Sequence, residues 1–497
     1  MTHHLSQTVE SARKAQNNWA QTSIHERARI LSTIAHYLTE KAEILAQQVH
    51  AETHKPLHEA LGSDATLAAA AFAQAAQMGL DCLGVKHYSL KQSWRALGLG
   101  RHHHQIRQPK GIIVAITPWN YPIGIPAWAM AASLITGNAC LLKPSELSSQ
   151  CGQLLVQLIQ TSLHRQGHSP ELIHCITGDG LTGQALLEES IDHVLFTGSV
   201  ATGQAIQRQL AGRNIGISLE LGGSCPAVIL PSLEPKAWDS VMSQLVWGRC
   251  FNAGQSCAAI KRLILPESWM DLWLPLLVKK FNALAHPLVL INHTQQKRLH
   301  QQVIQAIDEG ATLLCGGKLP EASTLPTYPP TLLAHLPLSS PLWNEEWFGP
   351  VLLVNGYNND TEAITLANQT PFGLTASIFG ENSHAQKVTT QINAGLVTIN
   401  DVALAHYGFL HIPWQGVKAS GPGISHAEEG LLALTTLKTI GTNQVPIWVK
   451  PPWVYGKTDS LAFLTGVMRW LTQSPWKAFC NISLLQGLWE QRPNTRL

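Results

Sequence analysis

Hydrophobic and polar positions follow a helical spacing in the first part of the chain. Ser23 and Glu26 form a capping box, and the apolar residues after them recur every three to four positions, which predicts a helix beginning near residue 24. An Ala-rich helix is expected to follow Asp64. Residues 1–80 are therefore predicted to be helical.

The pattern changes at residue 111, where short apolar runs alternate with helix-length segments. The runs GIIVAIT, NACLLKP, ELIHCIT and HVLFTGS are candidate strands. Helices are expected at about 148–166, 181–189 and from about 201. β-Branched, nearly uncharged strands that alternate with helices are typical of a parallel, doubly wound sheet covered on both faces.

A second stretch of alternating strands and helices runs from about 224 to 425. Its candidate strands are ILPESW, GATLLCGG, PVLLVNGY, ASIFG and GLVTIND. The chain contains no internal repeat and no low-complexity linker. At 497 residues it is long enough for two or three domains, so the predicted fold class is α/β.

Charge is low and balanced. Lys and Arg total 34, Asp and Glu total 32, and only 13% of residues are charged, against about 25% in an average soluble chain. This balance argues against a nucleic-acid-binding face and against intrinsic disorder. The uncharged stretch 111–142 has the length of a membrane span, but Pro118, Pro122 and Pro126 interrupt it. It is interpreted as buried strand, loop and core helix.

The nine cysteines are odd in number and lack close CxxC pairs, so they do not indicate a disulfide or zinc framework. A reducing compartment fits better. The N-terminus is polar and shows no apolar segment of a secretory signal, so a cytoplasmic location is the expectation.

Two turns that follow apolar runs are candidate binding segments. Phe196-Thr-Gly-Ser199, with Gly203 beyond it, would expose backbone N–H groups at a helix N-terminus, which suits a diphosphate. Because the spacing is not GxGxxG, an ordinary strand-to-helix turn remains the alternative. Lys143-Pro-Ser-Glu146 ends a strand where open α/β sheets bind ligands, or it is a surface loop with a helix cap.

Two further segments carry candidate catalytic groups. Glu220 lies within an apolar run, where it is either a base or a buried salt-bridge partner. Cys257 follows Gly254 in a loop and is a candidate nucleophile. Other cysteines, by contrast, lie in hydrophobic runs and are expected to be inert core residues: Cys140, Cys175 and Cys315.

Seven motifs in a fixed order resemble the NAD(P)-dependent aldehyde dehydrogenase superfamily over roughly residues 10–445. They are Thr-Pro-Trp-Asn-Tyr-Pro at 117–122, Lys-Pro-Ser-Glu at 143–146, Phe-Thr-Gly-Ser at 196–199, Glu-Leu-Gly-Gly at 220–223, Gly-Gln-Ser-Cys at 254–257, Glu-Trp-Phe-Gly-Pro at 346–350 and Pro-Phe-Gly-Leu at 371–374.

The resemblance implies a fold with a Rossmann-type dinucleotide-binding domain, an α/β catalytic domain and a small bridging β-domain. The corresponding segments are 1–90 with 111–221 for NAD binding, 222–425 for catalysis, 91–110 with 426–446 for bridging and oligomerisation, and 447–497 as a Trp-rich extension. A partly exposed bridging sheet implies a homodimer or homotetramer.

The resemblance also implies aldehyde oxidation. Cys257 would attack the aldehyde, and the Asn120 amide with the Cys257 backbone N–H would hold the oxyanion. After hydride transfer, Glu220 would activate the water that hydrolyses the thioester. Acyl transfer to coenzyme A and an inactive paralogue that serves as a scaffold are the alternatives.

For the cofactor, the match places Lys143 and Glu146 at the adenine ribose, Ser199 at the diphosphate and Glu346 at the nicotinamide ribose. The full set assigned to cofactor binding also includes Thr117, Trp119, Ser145, Gly198, Gly203, Leu221 and Phe348. Glu146 favours NAD because a carboxylate repels a 2′-phosphate, whereas Lys143 would suit NADP.

The matched tunnel positions are aromatic: Tyr121, Trp128 and Trp414. With no matched cation among them, the hypothesis is an apolar or aromatic aldehyde rather than one with a distal carboxylate. The alternative is that these rings pack in the core. No metal is expected, because neighbours in the run His102–His104 would point to opposite faces of a strand. This strand is expected to pair with one near 438–445.

The sequence departs from the family pattern at three places. Ser224 replaces a common Lys, His54 stands in a Gly-Lys-Pro pattern, and the connector at 285–288 lacks acidic residues. The tail after 446 contains five of the sixteen tryptophans. It is predicted either to contact a membrane surface or to pack against the body or a partner subunit.

Overall fold

The computed structural model describes residues 2–88, 101–284, 287–320 and 323–443. The predictions for the connector residues 285 and 286 and for the tail at 446–497 lie outside this range. The chain divides into two compact units, one of Met1–Gly84 with Gln108–Thr436 and one of Val85–Arg107 with Leu437–Leu497.

The helices of the described residues are α1 (Thr2–Trp19), α2 (Ile24–Glu40), α3 (Ala42–Thr53), α4 (Leu57–Ala60), α5 (Leu67–Cys82), α6 (Gly124–Ile135), α7 (Ser149–Arg165), α8 (Gly180–Glu188), α9 (Val200–Leu210), α10 (Trp238–Cys250), α11 (Met270–Asn282), α12 (His293–Asp308), α13 (Asp360–Asn368), α14 (Asn382–Thr389) and α15 (Ala427–Ala433).

The strands are β1 (Lys86–Tyr88), β2 (Arg101–Pro109), β3 (Ile112–Thr117), β4 (Ala139–Pro144), β5 (Ile173–Cys175), β6 (His193–Thr197), β7 (Gly216–Glu220), β8 (Cys225–Ile229), β9 (Ile260–Pro266), β10 (Leu288–Val289), β11 (Thr312–Cys315), β12 (Thr327–Tyr328), β13 (Thr331–Ala334), β14 (Val351–Tyr357), β15 (Phe372–Gly373), β16 (Thr375–Phe379), β17 (Leu396–Ile399), β18 (Trp414–Gln415), β19 (Val417–Lys418), β20 (Ile424–Ser425) and β21 (Thr435–Asn443).

Two sheets build the larger unit. The first is five-stranded and wholly parallel, in the order β5-β4-β3-β6-β7. The second has seven strands in the order β11-β13-β14-β9-β8-β16-β17, parallel except for the edge strand β11. Helices cover their apolar strands, so the predicted α/β fold class is confirmed. The domain boundary at 221/222 stays a prediction.

The smaller unit contains a three-stranded sheet in the order β1-β2-β21. The predicted pairing of the His102–His104 strand with one near 438–445 is confirmed, since β2 lies beside β21. All three residues of β1 are exposed, as are most residues of β21.

The N-terminal helices begin close to the predicted positions. Ser23 caps α2 by accepting a hydrogen bond from the Glu26 N–H. The second hydrogen bond of the predicted capping box, from the Ser23 N–H to the Glu26 carboxylate, does not form, because this carboxylate pairs with Arg29 instead. The Ala-rich helix α5 starts after a π-helical segment at Leu61–Thr66.

The strand predicted at ILPESW is displaced. β9 runs from Ile260 to Pro266, and Glu267–Trp269 form a short 3-10 helix. Pro266 lacks an N–H and the next residues form a helical turn, so the strand ends at Pro266. The prediction had placed the strand at 264–269. Lys261 and Arg262 are both fully buried in β9. Because these two charged residues interrupt the apolar run, the hydrophobic pattern did not indicate the first part of the strand.

Candidate active site

The predicted binding segments come together at the carboxyl edge of the five-stranded sheet. The parallel strands β3, β4, β6 and β7 end at Thr117, Pro144, Thr197 and Glu220. Since carboxyl ends of parallel strands share one edge, the loops after them face the same space. This topology explains why segments up to about 100 residues apart meet.

One large cavity, of about 770 Å³, lies along this edge. The residues predicted to bind a cofactor that line it are Thr117, Trp119, Lys143, Ser145, Glu146, Gly198 and Ser199. The buried Lys143 ammonium lies 3.7 Å from a carboxylate oxygen of the largely exposed Glu146. Ser199 caps α9 by accepting from the Thr202 N–H.

A second cavity, of about 260 Å³, shares walls with the first at Trp119 and at Thr197–Ser199. It brings together the three predicted catalytic residues with six of those assigned to the cofactor: Asn120, Glu220 and Cys257, with Trp119, Gly198, Ser199, Leu221, Glu346 and Phe348. Gly203 lines neither cavity. It lets α9 pack closely, because a Cβ there would lie 2.7 Å from Leu221 Cδ2.

The loop before Cys257 has a strained backbone. Asn252 and Ala253 both have φ of 53°, and Gly254 follows with φ of 70°. Non-glycine residues adopt this left-handed conformation only when their surroundings impose it. The Asn252 amide donates to the Asn120 carbonyl over 2.9 Å, and the buried Arg249 donates to the Gly254 carbonyl over 2.5 Å. These contacts hold the candidate nucleophile in place.

A buried ion pair holds the segment that carries Asn120. The Lys55 ammonium lies 2.5 Å from an Asp64 oxygen, and neither side chain is exposed. Lys55 also donates to the Asn120 carbonyl over 2.8 Å. Asp64 accepts from the Ile123 and Gly124 N–H groups at the start of α6. The Lys of the His54-Lys55-Pro56 pattern therefore fixes the loop around Asn120.

The Asn120 side chain is buried beside the nucleophile loop. Its amide nitrogen donates to the Gln255 carbonyl over 3.0 Å. Because a primary amide has two N–H groups, this bond leaves one donor for a second acceptor. Asn120 and Cys257 line the same cavity.

Two titratable groups in the cavity have strongly raised pKa values. Burial raises the pKa of the Cys257 thiol to about 12, and the nearby Lys261 ammonium lowers this pKa in part. Burial raises the pKa of Glu220 to about 7, and a hydrogen bond with Ser425 acts against this rise. The thiol is therefore neutral at physiological pH, whereas Glu220 is poised to accept or release a proton.

Glu346 faces the nucleophile loop across the same cavity. One of its carboxylate oxygens accepts from the Gly223 N–H over 3.1 Å and lies 3.9 Å from the Lys261 ammonium. Burial raises the pKa of Glu346, and Lys261 is the group that opposes this most. Gly222 allows the approach, because a Cβ there would lie 2.3 Å from Glu346 Oε2.

The residues predicted to form a substrate tunnel lie outside the 260 Å³ cavity, although Trp128 lines a cavity of about 40 Å³ that Glu220 also lines. Tyr121, Trp128 and Trp414 do not line the 260 Å³ cavity and are nearly fully buried. They pack around Tyr407 and His426, with ring centroids 5.0 to 6.3 Å apart for five ring pairs. This arrangement favours the alternative that the rings pack in the core.

Several residues of the site were missed by sequence reasoning. Gln295 and Arg298, both on α12, line the 260 Å³ cavity, and Lys261 and Ser425 contact the groups that do. Arg298 and Gln295 lie in no recognisable sequence motif, so only the packing of α12 shows that they line the cavity. Lys261 offered one signal: a lysine four residues after the candidate nucleophile in a strand.

Within the described ranges, no group of three or more His, Cys, Asp or Glu side chains is arranged to hold a metal ion. His102 is exposed and His103 and His104 are half-buried in β2. No helix among these residues is both long and apolar enough to cross a membrane.

Comparison with known proteins identifies the family. Residues 2–440 match the sequence model of the Aldehyde dehydrogenase family. The chain belongs to the aldehyde dehydrogenase family. It is 32% identical to aminoaldehyde dehydrogenase 1, peroxisomal, of Pisum sativum over 89% of this chain and 88% of that protein. It is 31% identical to succinate-semialdehyde dehydrogenase [NADP(+)] of Deinococcus radiodurans over 90% of this chain and 92% of that protein.

Solved aldehyde dehydrogenases share the fold. The structure of betaine aldehyde dehydrogenase from Staphylococcus aureus in complex with NAD+ aligns with a TM-score of 0.83 at 28% identity, covering 91% of this chain and 90% of that one. The NAD-dependent aldehyde dehydrogenase from Sinorhizobium meliloti aligns with a TM-score of 0.83 at 28% identity, covering 91% and 89%. The sequence resemblance is thus confirmed.

Proposed function

We propose that this aldehyde dehydrogenase oxidises an aldehyde to the carboxylic acid with NAD or NADP as the acceptor. The observation that carries the proposal is the cavity that joins Cys257, Asn120 and Glu220. It shares walls with the larger cavity at the carboxyl edge of the five-stranded sheet. A nucleophile, an oxyanion donor and a base therefore face one space beside a dinucleotide-sized groove.

In the first step, Cys257 Sγ adds to the aldehyde carbon and its proton leaves. That proton passes to solvent through the cavity, and the Lys261 ammonium is the neighbouring group that favours the thiolate. The oxygen becomes an oxyanion, which accepts from the free Asn120 amide N–H and the Cys257 backbone N–H. Donors of this kind contribute about 3 kcal/mol each to the transition state.

The residues of the larger cavity fit a dinucleotide. The Lys143 ammonium and the Glu146 carboxylate suit ribose hydroxyls, and the N-terminus of α9 at Ser199 suits a diphosphate. Glu346 and Phe348 would hold the nicotinamide half beside Cys257. When bound, NAD supplies the hydride acceptor. The largely exposed Glu146 carboxylate favours NAD over NADP because it would repel a 2′-phosphate.

Glu220 then activates the water that hydrolyses the Cys257 thioester and releases the acid. This role separates hydrolysis from acyl transfer to coenzyme A, for which a base at Glu220 is not needed. It also speaks against an inactive scaffold, since Cys257, Asn120 and Glu220 are all present and face one cavity.

Substrate class is a finer part of the proposal. The hypothesis of an apolar or aromatic aldehyde stays a prediction, and the names of the relatives add aminoaldehydes, betaine aldehyde and succinic semialdehyde as test substrates. The deciding experiment is NADH formation from this panel with the wild type and Cys257→Ala. Activity in the wild type alone supports the proposal. Absence of activity with every aldehyde, despite bound cofactor, would contradict it.

Assembly and location are also proposals. The exposed edge strands of the three-stranded sheet support a homodimer or homotetramer. Light scattering coupled to size-exclusion chromatography tests this, and a monomer at micromolar concentration would refute it. Pelleting with anionic vesicles, for the full chain and a version ending near residue 450, tests membrane contact through the tail. Equal behaviour of both versions would refute that contact.

A further inference from the structure

A buried lysine lies against the backbone of the nucleophile. Lys261, on β9, is fully buried, and its ammonium donates to the Ser256 carbonyl over 2.7 Å and to the Cys257 carbonyl over 2.5 Å. The carboxylate of Glu346 is farther away, at 3.9 Å. The charge is thus held mainly by two carbonyl dipoles of the Cys257 backbone.

The geometry of a peptide unit links this contact to the reaction. The Ser256 carbonyl and the Cys257 N–H belong to one peptide, and in a trans peptide they point in opposite directions. Fixing the carbonyl therefore fixes the direction of the N–H. Within the described part of the chain, the Cys257 N–H donates to no protein acceptor, so it is available to a bound oxyanion.

We propose that Lys261 is a positioning residue for oxyanion binding: it holds the Ser256 carbonyl and so directs the Cys257 N–H toward the oxygen of the bound substrate. A cation on the carbonyl also polarises the peptide and makes its N–H a stronger donor. The inference rests on the proposed function, because the oxyanion forms when Cys257 adds to an aldehyde.

Two other buried cations nearby contact different carbonyls. Arg249 donates to the carbonyls of Ile260, Gly254 and Trp347. Arg262, next to Lys261 on β9, donates to the carbonyls of Ser224, Leu366 and Ala367. Of these three cations, Lys261 is the one that reaches the two peptides flanking the Cys257 Cα. Arg262 therefore provides a matched control.

The positive charge of Lys261 also lowers the pKa of the Cys257 thiol. The titratable groups acting on Cys257 are Lys261, Glu346, Cys225 and Glu220, and of these only Lys261 favours the thiolate. Those acting on Lys261 are Cys225, Glu346, Arg249 and Cys257. A neutral residue at 261 would leave the thiolate with acidic neighbours alone, so ionisation of Cys257 becomes harder.

The test compares Lys261→Met, Lys261→Gln and Lys261→Arg with Arg262→Met. Two quantities are measured: kcat and KM for aldehyde oxidation, and the pH dependence of Cys257 alkylation by iodoacetamide, followed by peptide mass spectrometry. Lys261→Met should lower kcat about 100-fold with little change in KM, as for loss of one oxyanion donor. It should also slow alkylation about tenfold at a given pH. Lys261→Arg should restore most of both.

Arg262→Met should lose thermal stability but keep kcat and the alkylation profile. The proposal is overturned if Lys261→Met keeps kcat within about twofold, or if Arg262→Met lowers both quantities equally, which would indicate a structural role. Should Lys261→Met fail to fold, Lys261→Gln decides by the same criteria. Alkylation needs no aldehyde or cofactor. A wild type that forms no NADH would therefore refute the proposed function while the alkylation profile still reported on Lys261.

Discussion

Replacing Ser425 with alanine is expected to move the rise of activity with pH to a higher pH. Glu220 acts as a base only when ionised, so the rate of thioester hydrolysis should increase as pH rises through its pKa of about 7. Burial raises that pKa, and the hydrogen bond with Ser425 opposes the rise. Ser425→Ala removes the bond that stabilises the carboxylate.

The size of the effect follows from the energy of that bond. A hydrogen bond to a charged group contributes about 1.5 to 3 kcal/mol, and 1.36 kcal/mol corresponds to about one pH unit. Water that replaces the hydroxyl would recover part of this, so a displacement of about one pH unit is expected. At pH 7 the ionised fraction of Glu220 would then fall from about one half to about one tenth, a roughly fivefold loss of rate.

The assay is stopped-flow formation of NADH between about pH 6 and about pH 9, with saturating aldehyde and cofactor. The burst reports acylation, and the steady phase that follows reports hydrolysis. Ser218→Ala is the matched control. Ser218 and Ser425 both line a cavity of about 40 Å³ beside Glu220, but Ser218 bonds His193. An unchanged inflection in Ser425→Ala, or an equal displacement in Ser218→Ala, would refute the assignment.

Three further variants test the site. Glu220→Gln should keep a single-turnover burst of NADH while steady turnover slows at least 100-fold; loss of the burst in rapid-mixing experiments would contradict its assignment as the hydrolytic base. Glu146→Ser should raise kcat/KM for NADP relative to NAD about fivefold, since one charge repulsion near 4 Å in water is about 1 kcal/mol; an unchanged ratio would show that Glu146 does not select the cofactor. Asp64→Asn leaves the buried Lys55 charge uncompensated and should cost about 3 kcal/mol in thermal or denaturant unfolding. The exposed ion pair of Glu10 with Lys14 serves as control, because Glu10→Gln should leave the unfolding stability unchanged.

The candidate catalytic residues could be named from the sequence because each lies in a short motif, Cys257 and Glu220 by their local pattern and Asn120 through the family resemblance; their roles stay proposals. Cys257 follows a glycine turn, Glu220 ends a strand and Asn120 follows β3, and all three line one cavity. The start of α2 could likewise be predicted from local sequence, since Ser23 caps the helix by accepting from the N–H of Glu26, three positions on. Such features depend on neighbours in sequence.

The prediction of an aromatic substrate tunnel stays a prediction, because it depends on packing rather than on local sequence. Nothing local distinguishes a tunnel ring from a core ring. Trp128 and Trp414 contact the His426 ring, and Tyr121 stacks on Tyr407, only through long-range packing. The charged strand β9 was displaced in the prediction because the carbonyls that satisfy Arg262 lie 38 to 105 positions away.

Turn chemistry, apolar periodicity and ordered motifs thus suffice for the fold class and the family of this chain and for naming its candidate reactive groups, because they act over a few residues. The environment of those groups depends on contacts between distant segments. Ser425 reaches Glu220 across about 200 residues, and Lys55 holds the Asn120 loop across 65. Only folding brings these partners together. Burial raises the pKa of Glu220, and Lys55 holds the loop that carries Asn120, so the proposed reaction depends on contacts that form only in the folded chain.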